Sequence, residues 1–425
     1  MAAAVLFFFL TLAPGPAPAQ TFPVLLLPVK GSINPAQVDL LEDALGFAES
    51  EGYRLVALTL DTPGGLGTSM REMVRLMLNS PVPIGVWVGP PGASAASAGI
   101  FLVAASDVAG MGPQTTIGSA HPVGIGGGEA DEAQVEKVVQ DFLSLVRGIA
   151  AARDRNVDWY ERAVRENANL ASAEAVEQKV VEILAPTVEG FLEQAGARGI
   201  EFREETIRFA AQELRIEKYE PGLRYRVLSW LLDPQIAYFL LLGGLAGLFF
   251  ELSNPGTFFP GVIGIICLIL SLYALAILPT NVAGFLFILL GLLLFFLEIF
   301  VSSFGLLSLA GIVALFIGSL VLYRVEYGFP ALPLQTITTT VIGVSLLLGL
   351  AVYLVTKAQT RKPELGLEAL IGQRADVLRW ENGQGQVLVR GEVWRAVSDT
   401  SFGKGDVVQV TAVEGLTLHV GPRQE

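Results

Sequence analysis

Cysteine and histidine, the residues that form disulfides and often bind metals, are scarce in this sequence. The single cysteine, Cys267, lies inside an apolar run, which excludes a disulfide bond within the chain and argues against a cysteine-ligated zinc site. The two histidines, His121 and His419, are too few for a multi-histidine metal site within one chain. We therefore expect neither a metal nor a cofactor.

Basic clusters are also lacking, since no run of lysine and arginine exceeds a few residues and the net charge is −13. This balance argues against nucleic acid as a partner. In contrast, 52% of the 425 residues are hydrophobic, and the mean hydropathy is +0.55. Such a composition is typical of a soluble domain joined to a membrane-spanning block.

The N-terminal segment, residues 1–19, is apolar and ends in Ala17-Pro18-Ala19. This pattern predicts a signal peptide that is cleaved before Gln20. It contains no lysine or arginine near its start, so an uncleaved anchor is the alternative. The apolar core of about a dozen residues is short for a membrane span.

The chain then alternates between strand-like and helix-like segments. Continuous apolar runs of strand length occur at Phe22–Val29, Arg54–Leu60 and Ile84–Val88. Helices are predicted after Asn34, which is a suitable cap, and over Met70–Leu78. The alternation predicts a parallel sheet covered by helices, with a functional site at the carboxyl ends of its strands.

Two short motifs follow two of these strands. The first is Asp61-Thr62-Pro63-Gly64-Gly65, whose glycine pair leaves backbone N–H groups accessible to a ligand. The second is Gly92–Gly99, with the sequence Gly-Ala-Ser-Ala-Ala-Ser-Ala-Gly, which leads into an apolar helix. A serine at such a turn exposes its hydroxyl, and the amides that start the helix favour negative charge. Close packing of small residues is the alternative interpretation of the octet.

Together the two motifs resemble those of the Clp protease/signal peptide peptidase A clan. More closely, the chain resembles the long-form NfeD proteins, membrane-bound serine proteases linked to stomatin-like partners. The resemblance implies an α/β ClpP/crotonase-like domain, an α-helical transmembrane bundle and a small all-β barrel of the OB type. It also implies a serine endopeptidase that cleaves apolar segments of a stomatin-like (SPFH/prohibitin-type) membrane protein and forms a homodimer or higher homo-oligomer. The alternative function is a non-catalytic membrane scaffold for a stomatin-like assembly.

The resemblance also assigns roles around the octet. Ser97 is the implied nucleophile, and Ser94 supports the turn. The oxyanion donors would be the N–H of Ala98 and the N–H of either Gly64 or Gly65.

Two residues compete for the role of general base. The family motif implies Lys137, which requires burial or a nearby positive charge to keep its amine neutral. It lies beside a predicted glycine flap, Gly118–Gly128, but away from the helical stripe, so a surface lysine is the alternative. His121, in Ile-Gly-Ser-Ala-His-Pro, resembles the histidine segment of Clp proteolytic subunits. The predicted stripe consists of Val135, Val138, Val139, Phe142, Val146 and Ile149.

Five membrane spans are predicted in the apolar block, and Glu251 and Glu298 near span ends indicate a weak internal repeat with a structural role. A cleaved signal peptide and five crossings place the protease domain outside the inner cell membrane and the C-terminus in the cytoplasm. Lys357, just past the last span, agrees with this orientation. The spans are Ile236–Phe250, Phe258–Leu278, Val282–Phe300, Gly305–Tyr323 and Thr336–Thr356.

Two further segments complete the predicted organisation. Five short strands within Leu367–Val420 fit an OB-type barrel that docks a protein. Leu223–Leu232, with Trp230 among leucines and arginines, suits either the bilayer interface or a helical linker. The predicted boundaries are 1–19 for the signal peptide, 20–200 for the protease domain, 201–235 for the linker or interfacial segment, 236–357 for the transmembrane region and 366–422 for the barrel.

Overall fold

A computed structural model describes residues 21–122, 132–253, 256, 258–301, 303–323, 332–359 and 367–423. The predicted signal peptide and residues 123–128 of the predicted flap lie outside the described residues. The chain divides into two units, Met1–Gly349 and Leu350–Glu425, and each has its own fold.

A six-stranded sheet forms the centre of the first unit. The strands of this unit are β1 (Phe22–Lys30), β2 (Leu55–Asp61), β3 (Ile84–Val88), β4 (Ser94–Ala96), β5 (Val108–Met111), β6 (Thr116–Gly118), β7 (Asn169–Ala171), β8 (Ile183–Leu184), β9 (Ile200–Phe202), β10 (Glu205–Ile207) and β11 (Leu214–Lys218). The sheet has the order β11-β1-β2-β3-β5-β8, and every neighbouring pair is parallel. The predicted parallel sheet is therefore confirmed.

Helices cover both faces of this sheet. The helices of the domain are α1 (Pro35–Ser50), α2 (Gly67–Leu78), α3 (Ala98–Ala105), α4 (Glu132–Ala152), α5 (Val157–Glu166), α6 (Ser172–Glu177), α7 (Val188–Arg198) and α8 (Leu223–Leu231). Leu25 and Leu27 of β1 point into the core shared with α1 to α5, whereas Val24 joins the core beneath α7. Burial on both faces explains why the strands are continuously apolar.

The first domain extends beyond the predicted boundary at residue 200. Residues 200–207 form a hairpin, but the chain then adds β11 to the open edge of β1. Tyr53 Oη donates a hydrogen bond to Glu217 Oε2 (2.6 Å), which ties this edge strand to the end of α1. The segment between the sheet and the membrane block therefore begins after Lys218.

Five apolar helices follow at the predicted positions. They are α9 (Pro234–Ser253), α10 (Phe259–Ile277), α11 (Val282–Glu298), α12 (Leu306–Val321) and α13 (Leu334–Gln359). Among the described residues, α9, α10 and α13 are long and apolar enough to cross a membrane, whereas α11 and α12 are shorter. The first span is longer than predicted because the helix continues past Phe250 to Ser253.

Glycines at matching positions let the helices of two hairpins pack closely. A Cβ atom on Gly244 would lie 2.9 Å from the carbonyl oxygen of Gly264, across α9 and α10. A Cβ atom on Gly291 would lie 2.8 Å from that of Gly311, across α11 and α12. Close approach through small residues is a common way to join membrane helices.

Glu298 caps the helix that follows it. Its carboxylate accepts hydrogen bonds from Ser303 Oγ (2.8 Å), Gly305 N (2.9 Å) and Ser308 N (3.0 Å) at the start of α12. Glu251 packs over Gly261 in the first turn of α10, so it occupies the corresponding place in the first hairpin. Both observations agree with the repeat and the structural role that the sequence indicated.

The second unit contains a closed five-stranded barrel of the predicted kind. Its strands are β12 (Arg374–Glu381), β13 (Gln384–Val389), β14 (Glu392–Val397), β15 (Val407–Glu414) and β16 (Thr417–Pro422), in the order β12-β13-β14-β16-β15. Alternate residues point inward, with Val377, Val387, Ala396, Val408 and Leu418 fully buried. The predicted sequence of an α/β domain, apolar helices and a small barrel is thus confirmed.

Candidate functional site

Ser97 occupies a sharp turn between β4 and α3. Its φ of 52° and ψ of −112° lie where residues with a side chain are rarely found. The turn is held because Ser97 N–H donates to the Gly118 carbonyl oxygen (3.0 Å) and Ile100 N–H donates to the Ser97 carbonyl oxygen (3.2 Å). A strained serine between a strand and a helix is the geometry that exposes a nucleophilic hydroxyl in many hydrolases.

Ser94 has a different environment, inside β4. Its N–H donates to Asp61 Oδ1 (3.2 Å), and its hydroxyl accepts a hydrogen bond from Thr116 Oγ1 (3.2 Å). These contacts join Ser94 to the ends of β2 and β6. Ser94 therefore belongs to the scaffold of the turn, whereas Ser97 stands at its apex.

Gly64 lies directly against Ser97. A Cβ atom on Gly64 would lie 2.7 Å from Ser97 Cβ and 3.2 Å from Ser97 Oγ, and the φ of Gly64 is 123°. Thr62 fixes this turn, because its hydroxyl donates to the Gly64 carbonyl oxygen and accepts from Gly64 N–H, each at 3.0 Å. The buried Thr62 thus shapes the site, a role that the sequence did not reveal beyond its place in the motif.

The amides of the two candidate glycine donors differ in their hydrogen bonds. Gly64 N–H is already used by Thr62, whereas Gly65 N–H has no acceptor within the described ranges. Gly65 is held against Ile33, whose N–H donates to the Gly64 carbonyl oxygen (2.7 Å). Ala98 is the first residue of α3, so its N–H has no partner inside the helix. Ala98 and Gly65 therefore each carry an amide for which the described residues supply no acceptor.

Lys137 is exposed in α4, and its side chain makes no hydrogen bond to Ser97 within the described parts of the chain. The buried side of α4 consists of Val139, Leu143, Val146, Ile149 and Ala150. Val138, which was predicted to belong to this side, is 43% exposed, so that prediction is wrong. One step along a helix rotates a side chain by about 100°, so the stripe that runs from Val135 through Val139 turns Val138 outward.

The direction of α4 nevertheless points its first turns toward the site. The ring of Phe142 packs against Phe101 in α3, with centroids 5.5 Å apart, and touches Gly67 just after the glycine turn. Arg155, beyond the other end of α4, bonds to the last turn of α3. The two helices therefore run side by side in the same direction. The turn that carries Lys137 lies toward the end of α3 where Ser97 stands.

His121 is half-buried and held by α5 and the residue after it. Its Nδ1 lies 3.0 Å from the Val164 carbonyl oxygen, and its N–H donates to Asn167 Oδ1 (3.1 Å). Because a carbonyl oxygen only accepts, we assign the proton to Nδ1, which leaves Nε2 as the basic nitrogen. In the described part of the chain, no carboxylate orients the ring, and no hydrogen bond joins it to Ser97.

A buried ion pair anchors the far end of the Ser97 helix. Arg155 is fully enclosed and donates to the carbonyl oxygens of Val103 (2.6 Å) and Ala104 (2.9 Å), which end α3. It also donates twice to Glu182, at 2.8 Å and 3.0 Å. Burial lowers the pKa of Arg155 and Glu182 raises it, and the net direction is upward. The guanidinium thus fixes the helix whose first residue follows the nucleophile.

Sequence reasoning missed both members of this pair. Glu182 interrupts the apolar run from Val180 to Leu184, and a charge inside a strand-like run is a usable signal. Arg155 carries no such signal, because only the tertiary structure encloses it. No group of three or more potential metal ligands occurs among the described residues.

The sequence matches family models along most of its length. Residues 23–193 match the NfeD1b, N-terminal domain, residues 235–357 match the NfeD integral membrane domain, and residues 367–422 match the NfeD-like C-terminal, partner-binding domain.

Similar proteins agree with these matches. Membrane-bound protease PH1510 of Pyrococcus horikoshii is 30% identical over 410 residues, which cover 92% of this chain and 91% of that protein. Membrane protein NfeD1b of Bacillus subtilis is 27% identical over 305 residues, which cover 70% of this chain and 67% of that protein. The solved structure of the 1510-N membrane protease specific for a stomatin homolog from Pyrococcus horikoshii is 23% identical, covers 50% of this chain and 98% of its own, and has a TM-score of 0.43. The three family models follow one another along this chain from residue 23 to residue 422, and the chain belongs to the NfeD family.

Proposed function

We propose that this protein is a membrane-anchored serine endopeptidase with Ser97 as its nucleophile. The observation that carries the proposal is the strained backbone of Ser97, with a positive φ and a ψ of −112°, at the start of α3 and directly against Gly64. Such a conformation costs about 1–3 kcal/mol and concentrates at functional sites. The name of the relative PH1510, a membrane-bound protease, supports the same activity.

In the proposed reaction, Ser97 Oγ attacks the scissile carbonyl carbon while its proton passes to the amine of Lys137. The carbonyl electron pair moves to oxygen, and the oxyanion accepts hydrogen bonds from Ala98 N–H and Gly65 N–H. Collapse of this intermediate breaks the C–N bond, and the Lys137 ammonium protonates the leaving amine. Water then cleaves the acyl-enzyme by the same steps, which restores the Ser97 hydroxyl.

Lys137 reaches Ser97 in this proposal by a change at the start of α4 or from α4 of a second copy in a homodimer. A lysine base needs surroundings that exclude water, and the exposed position in the single chain does not supply them. Contact with a second copy would cover this surface and expel water. His121 remains the alternative base, since its Nε2 makes no hydrogen bond to any described residue.

The proposed substrate is an apolar segment of a stomatin-like membrane protein. The relative of solved structure is described as specific for a stomatin homolog, and the C-terminal barrel matches a partner-binding domain. In the proposed arrangement, the protease domain faces the outside of the inner membrane and the barrel faces the cytoplasm. A serine dyad outside the bilayer would then cut segments that emerge from it.

The test uses the full chain in detergent, a fluorophosphonate probe and a fluorogenic apolar peptide. We expect the probe to label Ser97, the Ser97→Ala variant to lose labelling and cleavage, and Ser94→Ala to retain both. Equal cleavage by wild type and Ser97→Ala would refute the proposal. Lys137→Ala and His121→Ala then identify the base, because only the loss of the true base should abolish cleavage while the protein stays folded.

A scaffold is the second candidate function, favoured by the match of the barrel to a partner-binding domain. A stomatin-like protein captured equally by wild type and Ser97→Ala, without turnover of any peptide, would support it.

A further inference from the structure

Helix α8 carries an apolar stripe that nothing in the described parts of the chain covers. Leu223 is 76% exposed, and Val227 and Trp230 are each 55% exposed. Their spacing of four and three residues puts all three on one side of the helix. Exposure of a contiguous apolar stripe to water is unfavourable in free energy, and such a stripe usually marks a site of interaction with a protein or a membrane.

The other side of α8 is fixed to the first domain. Arg224 forms an ion pair with Asp39 of α1 (3.0 Å), Tyr225 packs on the domain core, and Leu231 is buried. Arg224 and Arg226 stand on opposite sides of the apolar stripe, by the rotation of about 100° per residue in a helix. The exposed stripe therefore has an arginine on each side.

The position of α8 along the chain indicates what covers this stripe. Only Leu232 and Asp233 separate it from the membrane-spanning helix α9. Ser271 Oγ donates to the Ala237 carbonyl oxygen (2.9 Å), so the last turns of α10 lie beside the first turns of α9. Tyr273, 49% exposed in those turns of α10, lines a groove together with residues of α8. Exposed tryptophan and tyrosine are typical of the boundary between water and lipid.

We propose that α8 binds a phospholipid surface. Its stripe inserts between the acyl chains and headgroups, and Arg226 lies at the level of anionic phosphates, whereas Arg224 is paired with Asp39. A lipid surface is favoured over a second copy because Leu223 and Val227 of the stripe line one groove with Tyr273 of the apolar helix α10.

This placement also orients the candidate site. Asp39, which pairs with Arg224, lies in the first turns of α1, and Ile33 just before that helix bonds to the Gly64 carbonyl oxygen. The sheet edge that carries Gly64 and Ser97 is therefore the edge near α8. The candidate site then faces the bilayer, where substrates that are attached to the membrane can reach it. This consequence rests on the proposed function.

The lipid contact is tested with the full chain in vesicles of phosphatidylethanolamine and phosphatidylglycerol. In a Cys267→Ser background, a nitroxide is attached at Val227→Cys or, as a control, at Leu78→Cys. Leu78 is similarly exposed (46%), but it is the last residue of α2 and lies at the end of the sheet where the parallel strands begin, opposite the candidate site. We expect the label at residue 227 to collide with a water-soluble nickel chelate about tenfold less than the label at residue 78, and more with oxygen.

Equal chelate collision at the two positions would overturn the proposal. The label at residue 227 could also lose its protection from the chelate when the protein is diluted with excess lipid, and show a spectrum broadened by a second nearby label. That result would assign the stripe to contact with a second copy and would also overturn the proposal. Neither outcome depends on catalysis.

The consequence for substrates is tested with Val227→Glu, which adds a charge to the stripe. The rate of cleavage of a soluble apolar peptide should stay within about twofold of the wild-type rate. Cleavage of the same peptide on a lipid anchor should fall about tenfold, which corresponds to the loss of about 1.4 kcal/mol of free energy of insertion into the bilayer. Equal loss on both peptides, or none on either, would contradict membrane delivery. Failure of the proposed function is recognised separately, because wild type would then cleave neither peptide.

Discussion

Replacement of Gly64 by alanine tests the contact that the candidate site depends on. The added Cβ would lie 2.7 Å from Ser97 Cβ, whereas ordinary contacts of a Cβ atom begin near 3.4 Å. Either Ser97 or the Gly64 turn, which the Thr62 hydroxyl holds in place, must therefore move by about 1 Å. Such a displacement of a reacting group can reduce the rate of reaction about a hundredfold. The strain itself should cost about 1–3 kcal/mol of stability, so the protein should remain folded.

The assay is the rate of fluorophosphonate labelling at Ser97, measured beside thermal unfolding of the full chain in detergent. The matched control is Gly31→Ala, since Gly31 also has a positive φ (80°) but nothing within 4 Å of an added Cβ. It carries the backbone strain without the contact. We expect labelling to slow about a hundredfold in Gly64→Ala and to change little in Gly31→Ala. Equal labelling rates in two folded variants would refute the reasoning.

Three further predictions concern the framework. Arg155→Met should lower the free energy of unfolding by about 3–5 kcal/mol, because the half-buried Glu182 carboxylate loses its cation and the buried carbonyl oxygens of Val103 and Ala104 lose their donor; a change below about 1 kcal/mol in thermal unfolding would contradict the anchoring role of the pair. The hydrogen bond to Glu217, together with burial, raises the pKa of Tyr53 to about 12. The stabilisation from this phenol is complete below the unfolded pKa of about 10 and is lost as the pH rises to about 12, so Tyr53→Phe should flatten this part of the stability profile. An identical slope in both proteins, measured by denaturant unfolding from pH 9 upward, would exclude the coupling. Glu298→Ala should destabilise the α11–α12 hairpin by about 1–2 kcal/mol, since the start of α12 loses its cap; unfolding in mixed micelles should register the loss, and an unchanged midpoint would argue against it.

Much of the fold follows from local patterns in the sequence. Apart from Arg54 and Thr59, the runs at Arg54–Leu60 and Ile84–Val88 contain no polar side chain, and this pattern is typical of a strand buried on both faces. Their position before two glycine-containing motifs also predicts that the motifs meet, because parallel strands end at one edge. The positions of the membrane helices are similarly readable, since each helix satisfies its own backbone within one segment.

Other features depended on partners far away in the chain. The sequence could not assign β11 to the sheet, because an edge strand needs an apolar pattern on one side only and pairs with β1 from the distant N-terminus. The difference between the amides of Gly64 and Gly65 required the hydrogen bonds of Thr62. The exposure of Lys137 agrees with its predicted place away from the helical stripe, although the stripe itself was wrong at Val138.

The sequence by itself determined the order of the three parts, the parallel sheet and the two motifs at its edge, because hydrophobic period and glycine placement act over a few residues. Only the tertiary structure decided which serine stands at the strained turn, which amide is available and how Arg155 holds the Ser97 helix. These depend on the distances between residues that are remote in sequence. No local pattern specifies those distances, since they arise only when the whole core packs.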